Sequence, residues 1–133
     1  HSMTRPIALS ALALLAACTA TPPSSAGPAG SRWTFVAIDG QKPVSSKTSL
    51  TISEGRIGAN VGCNGMGGDL KIDKDRLIVG PIVATRMYCD GLMDQERTVA
   101  ELLGAKPRFF IEGGRMGIKS DKHFAELVKV IAD

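Results

Sequence analysis

Beyond residue 32 the chain is a succession of short apolar-polar alternations, each broken by turn-forming residues. Residues 33–38 (WTFVAI) are rich in aromatic and branched side chains and stop at Asp39-Gly40, which predicts a first strand. Ser49-Leu50-Thr51-Ile52-Ser53 alternates, meets Glu54-Gly55 and resumes over residues 56–61, the pattern of a hairpin. Residues 69–72 and 76–79 flank Asp73-Lys74-Asp75, and residues 108–111 and 116–118 flank Gly113-Gly114, giving two more hairpins. Strands at this spacing, with turn residues between them, predict an antiparallel sheet that curls or partly closes.

One segment follows a different period. Between residues 90 and 103, Leu92, Val99, Leu102 and Leu103 fall near helical spacing, Asp90 stands where an N-cap is needed, and Gly104 followed by Pro107 ends the run. The tail is ambiguous, since Phe124, Leu127 and Ile131 also fit a helix. The expected fold is α+β: a curved antiparallel sheet, a half-open barrel, with one packed helix.

The first thirty residues belong to another pattern. Residues 7–17 carry no charge, are almost entirely Ala and Leu, and follow Arg5, which is the pattern of a secretory leader; a start at Met3 leaves His1 and Ser2 as a cloning remnant. As a helix the run would span about half of a ~30 Å hydrocarbon core, too little for a stable transmembrane anchor. Leu15-Ala16-Ala17-Cys18 resembles the lipobox of bacterial lipoproteins, which implies that Cys18 is acylated and becomes the first mature residue; the alternative is a secreted protein with an unmodified Cys. Residues 19–31 hold no charge and no large apolar side chain, so they form a disordered linker. The expected organisation is therefore a signal peptide over residues 1–17, lipidated Cys18 and linker over 18–31, and one domain over 32–133.

Charge narrows the partners. Arg5 is the one Lys or Arg before Cys18, so 15 of the 16 basic side chains face 13 acidic ones in the mature chain. Such a balance, with scattered basic residues and few aromatics, gives no footprint for nucleic acid. The partners expected instead are a membrane, through the lipid anchor, and an envelope protein.

Cys63 and Cys89 form an even pair in a chain read as exported, which suggests a disulfide; two buried free thiols are the alternative. Closing that loop would stabilise the fold by about 3 kcal/mol. A redox-active pair would want the Cys-x-x-Cys spacing that is missing here. With His123 as the one further histidine after Cys18, no four-ligand zinc set exists, and no metal or cofactor is expected. His123 reads as a surface or partly packed residue. Gly62 and Gly67 have P-loop spacing, but Gly68-Asp69 replaces the required Lys-Ser or Lys-Thr. Glycines there read instead as positive-φ positions in a bulged crossing between strands.

Gly62-Cys63-Asn64, a glycine-rich turn, a hairpin, and Thr85-Arg86-Met87-Tyr88-Cys89 before a helix together resemble the META domain, or HslJ-like, family. Trp33 and Ile38-Asp39-Gly40 match its opening strand; Met66 departs from it, standing where members often carry an aromatic residue. The resemblance implies a small α+β domain of bacterial envelope proteins, linked to heat-shock and antibiotic stress, with a closing strand in the tail and without enzyme activity or cofactor. Asn64, Thr85 and Arg86 are the polar positions it carries over. Structural roles are expected for them: Asn64 bridging the turn through its amide, Arg86 bonding carbonyls or a carboxylate near the helix start. A ligand groove lined by the three is the functional alternative.

No nucleophile, base and orienter assemble in the sequence, so a non-catalytic, tethered accessory or partner-binding module is the expected function. A carrier or sensor of an apolar small molecule such as a lipid is the alternative, and a thiol-disulfide protein using Cys63 and Cys89 comes last.

Overall fold

A computed structural model of the protein describes residues 29–130; the leader, Cys18 and most of the linker fall outside the described residues. The elements run β1 (Ser31–Ile38), β2 (Ser49–Ser53), β3 (Arg56–Asn60), β4 (Gly65–Asp73), β5 (Arg76–Val79), β6 (Val83–Ala84), α1 (Met93–Gly104), β7 (Arg108–Glu112), β8 (Arg115–Lys119) and β9 (Phe124–Lys129). The three expected hairpins are present, as β2-β3, β4-β5 and β7-β8.

Neighbours follow the order β3-β2-β1-β9-β8-β7-β5-β4, and β4 pairs again with β3. The sheet is thus a closed eight-stranded antiparallel barrel with β6 appended to β4, which corrects the half-open barrel expected from the sequence. The glycine-rich segment is what closes it. Rather than a bulged crossing, Gly65, Gly67 and Gly68 lie inside β4, and of residues 62–68 only Gly62 has positive φ (+113°). Their use is close approach: a Cβ on Gly67 would come within 2.8 Å of the Ile57 carbonyl oxygen, and one on Gly68 within 3.0 Å of the Pro81 oxygen. Bare backbone there lets β3 and the β5-β6 segment press against β4 from both sides.

The barrel interior is filled by alternate strand residues, among them Trp33, Leu50, Ile52, Ile57, Leu77, Ile118 and Leu127, all fully buried. In β1 the alternation changes phase, with Trp33 and Phe35 inward and then Ile38, because Val36 is an extra residue in the pairing with β9. The tail is that ninth strand and not a helix. It fills the place between β1 and β8, where Ala125 and Leu127 point into the core.

Helix α1 adds Val99, Leu102 and Leu103 to the same core. It starts at Met93, later than the sequence suggests, with Leu92 at the N-cap and no capping side chain. Asp90 does not cap it, because Gly91 (φ +81°) turns the chain in between. Asp94 and Glu96 in the first turn favour the exposed amides instead. The left-handed residue after the helix is Lys106 (φ +51°), not Gly104. The helix packs on β5, where the ring is thinnest, since β5 and β7 share the single pair Arg76↔Arg108.

Candidate functional site

Where β3 passes into β4, Asn64 is 1% exposed and wires three segments together. Its Oδ1 accepts from the Thr85 hydroxyl (2.8 Å) and the Met87 amide (2.7 Å), while its Nδ2 donates to the Met87 carbonyl (2.9 Å) and to Glu96 Oε1 (2.8 Å). Its own backbone N–H donates to Glu96 Oε2 at 2.8 Å. A buried carboxylate is tolerated here because both of its oxygens receive hydrogen bonds. Gln95, the next residue back, donates to the Val61 carbonyl and accepts from the Val44 amide, so the start of α1 is pinned to the barrel on two sides.

A disulfide joins Cys63 to Cys89 across a Cα–Cα distance of 6.0 Å and ties the same corner covalently. The segment so braced, residues 83–89, displays rather than buries its apolar side chains: Val83 is 74% exposed, Met87 57% and Tyr88 76%. Between this segment and α1 runs a groove of about 480 Å³ whose lining includes Asn64, Thr85, Arg86, Met87, Tyr88 and Met93. A smaller hollow of about 170 Å³, floored by Met66 and Ala100, continues from it.

Asn64 and Thr85 are thus tied together in one hydrogen-bonded corner, and all three residues singled out in the sequence line one groove. Arg86 does not do what was expected. It stands exposed on the rim and makes no hydrogen bond or ion pair among the described residues, because the helix-start carboxylate, Glu96, is already taken by Asn64.

A second constellation was invisible in the sequence. His123, at the entry to β9, places Nδ1 2.8 Å from Asp39 Oδ2 and Nε2 3.0 Å from Glu101 Oε1. Both ring nitrogens can donate at once only in the imidazolium form, which this pair of carboxylates favours. The Glu101 hydrogen bond, then that of Asp39, raises the His123 pKa above its ordinary 6.5 despite partial burial. Desolvation opposes ionisation of Asp39, but the Phe124 amide and His123 together outweigh it and hold its pKa below the ordinary value. Glu101 is likewise lowered, chiefly by its hydrogen bond to His123. His123 lines a cleft of about 860 Å³ with the C-terminal end of α1. Among the described residues no group of three or more His, Cys, Asp or Glu is placed to hold a metal.

A search of curated protein sequences gives no match. Two solved structures share the fold. An NMR structure of a protein from Burkholderia xenovorans has a TM-score of 0.64 at 18% identity, covering 79% of this chain and 85% of that one. A second NMR structure has a TM-score of 0.65 at 17% identity, covering 74% and 87%. The family model of the META domain matches residues 27–130, which include every described residue and both ends of the closed barrel. The chain belongs to the META domain family.

Proposed function

We propose that this protein is a membrane-tethered, non-catalytic envelope module that binds a protein partner through the face built on residues 83–89. The observation that carries the reading is a contradiction in cost. Asn64, Glu96 and the Cys63–Cys89 disulfide hold this segment rigid, yet Val83, Met87 and Tyr88 are left in water. A preorganised apolar display with an aromatic residue and an adjacent cation, Arg86, is the composition that protein interfaces favour. The tether rests on the leader pattern and Cys18, and a role as an accessory under envelope stress rests on the family. An apolar small molecule has less room, because the barrel interior is filled with side chains, which leaves it surface hollows such as the groove beside α1.

Two measurements test the proposal. A photoreactive residue at position 88, in cells, should trap a defined partner that is lost with Val83→Ser or Met87→Ser and absent from the same probe at position 114, in the β7-β8 turn. Equal trapping from both positions refutes the face. Intact mass of the mature chain should show an acylated Cys18, and Cys18→Ser should release the protein from membranes; an unmodified mature N-terminus elsewhere removes the tether.

A further inference from the structure

We propose that the cleft between the C-terminal end of α1 and strands β5, β7 and β8 binds a phosphoryl group. The register carries the argument. Arg76 stands directly opposite Arg108 across β5 and β7, and Arg108 stands directly opposite Lys119 across β7 and β8. Three cations therefore occupy one rung over three consecutive strands, and all three line the same cleft of about 860 Å³. Directly opposed side chains on an antiparallel sheet share a face, and like charges there destabilise it.

The protein's own anions only partly neutralise this rung. Arg76 is accounted for by the helix end, donating to the Lys106 carbonyl at 2.7 Å. Arg108 has a partner in Asp75, but at 3.6 Å and exposed to water. Lys119 makes no ion pair among the described residues. Lys122 adds a further cation to the lining, and of the two carboxylates there Glu101 is engaged by His123 at 3.0 Å, which leaves Asp121. The helix presents carbonyls here, not amides, so side-chain cations must supply the attraction. A compact oxyanion seated between Arg108 and Lys119 would offset the repulsion along the rung, and the planar guanidinium fork suits phosphoryl oxygens in particular. The group could arrive on a phospholipid headgroup or on a soluble phosphate; the chemistry recognised is the same.

The full chain carrying Cys18→Ser, which removes acylation, is titrated with inorganic phosphate against chloride at matched ionic strength, following the amide resonances of residues 119–123. Saturable shifts with phosphate alone are expected. Arg108→Gln and Lys119→Gln should each weaken phosphate by about tenfold, while raising the Tm in phosphate-free buffer because the rung is relieved. Arg108→Lys should retain more binding than Arg108→Gln. Cosedimentation with phosphatidylglycerol vesicles but not phosphatidylcholine, competed by phosphate, assigns a lipid headgroup; phosphate binding without vesicle binding assigns a soluble ligand. Phosphate shifts that match chloride, with no vesicle binding, overturn the site, as does binding that survives unchanged in both Gln variants.

Discussion

A single amide does most to hold the braced corner together. Asn64→Ala removes four side-chain hydrogen bonds to Glu96, Thr85 and Met87, and leaves a carboxylate that is 9% exposed short of a donor. A loss of about 2 to 4 kcal/mol in unfolding free energy is expected, read as a lower denaturant midpoint at unchanged slope. A loss below 1 kcal/mol would mean that water replaces the amide at about its full value. Two glycines give a sharper contrast. At Gly67 a Cβ meets the Ile57 carbonyl, which is backbone and cannot retreat without shifting β3. At Gly117 the Cβ meets the ring of Phe110, an exposed side chain that can swing outward. Gly67→Ala should therefore cost about 2 kcal/mol, and Gly117→Ala clearly less; equal costs would contradict the close-approach account of β4. Asn64 was legible because the Gly-Cys-Asn triplet is local. Glu96 and His123 were not, since their partners lie 32, 22 and 84 residues away and no spacing rule connects them.

Between elements, the decisive fastener is His123, which joins the entry of β9 to the turn after β1 through Asp39 and to α1 through Glu101. Its pKa is raised, so the stability it contributes is complete below its ordinary 6.5 and disappears as pH rises through the raised value. Asp39 and Glu101 are lowered from 3.8 and 4.5, so their share is complete above those values and disappears as pH falls through the lowered ones. The difference in unfolding free energy between the native chain and His123→Gln should therefore be greatest between about pH 4.5 and 6.5 and shrink toward alkaline pH. Denaturant titrations across that range check it, and a difference that stays constant up to about pH 9 would show that the ring acts by packing alone. The hairpins were readable because Glu54-Gly55 and Gly113-Gly114 announce them locally. The start of α1 was not, because Gly91 takes a left-handed turn where the pattern alone suggested helix. Nor was β9, whose apolar spacing suits either period; the vacancy between β1 and β8 decides in favour of a strand.

At the scale of the whole molecule, closure of the ring removes the exposed edges that an open sheet would carry. That closure was illegible because it depends on β3 and β4 pairing along bare glycine backbone, which the sequence read as a turn. The ring is not equally strong all round. Most neighbouring strands share ladders of several residue pairs, such as the five between β2 and β3, whereas β5 and β7 meet at Arg76↔Arg108 alone. Two backbone bonds flank that pair, Phe109 N–H to the Asp75 carbonyl at 2.8 Å and Leu77 N–H to the Pro107 carbonyl at 2.9 Å. Opening there breaks few hydrogen bonds and separates two like charges, so it should be the easiest way for the barrel to part. Local opening free energies scale with what each opening disrupts. Native-state hydrogen exchange should accordingly find the Leu77 and Phe109 amides exchanging through an opening well below the global unfolding free energy. The amides of Leu127 and Ile118, in strands with full ladders on both sides, should exchange only through global unfolding. Lys119→Gln should slow the seam amides by lowering the repulsion that favours opening, without altering those of β9. Uniform protection across all four amides would show that the ring opens only as a whole, with α1 and the core beneath it, rather than the β5-β7 pair, holding the seam shut.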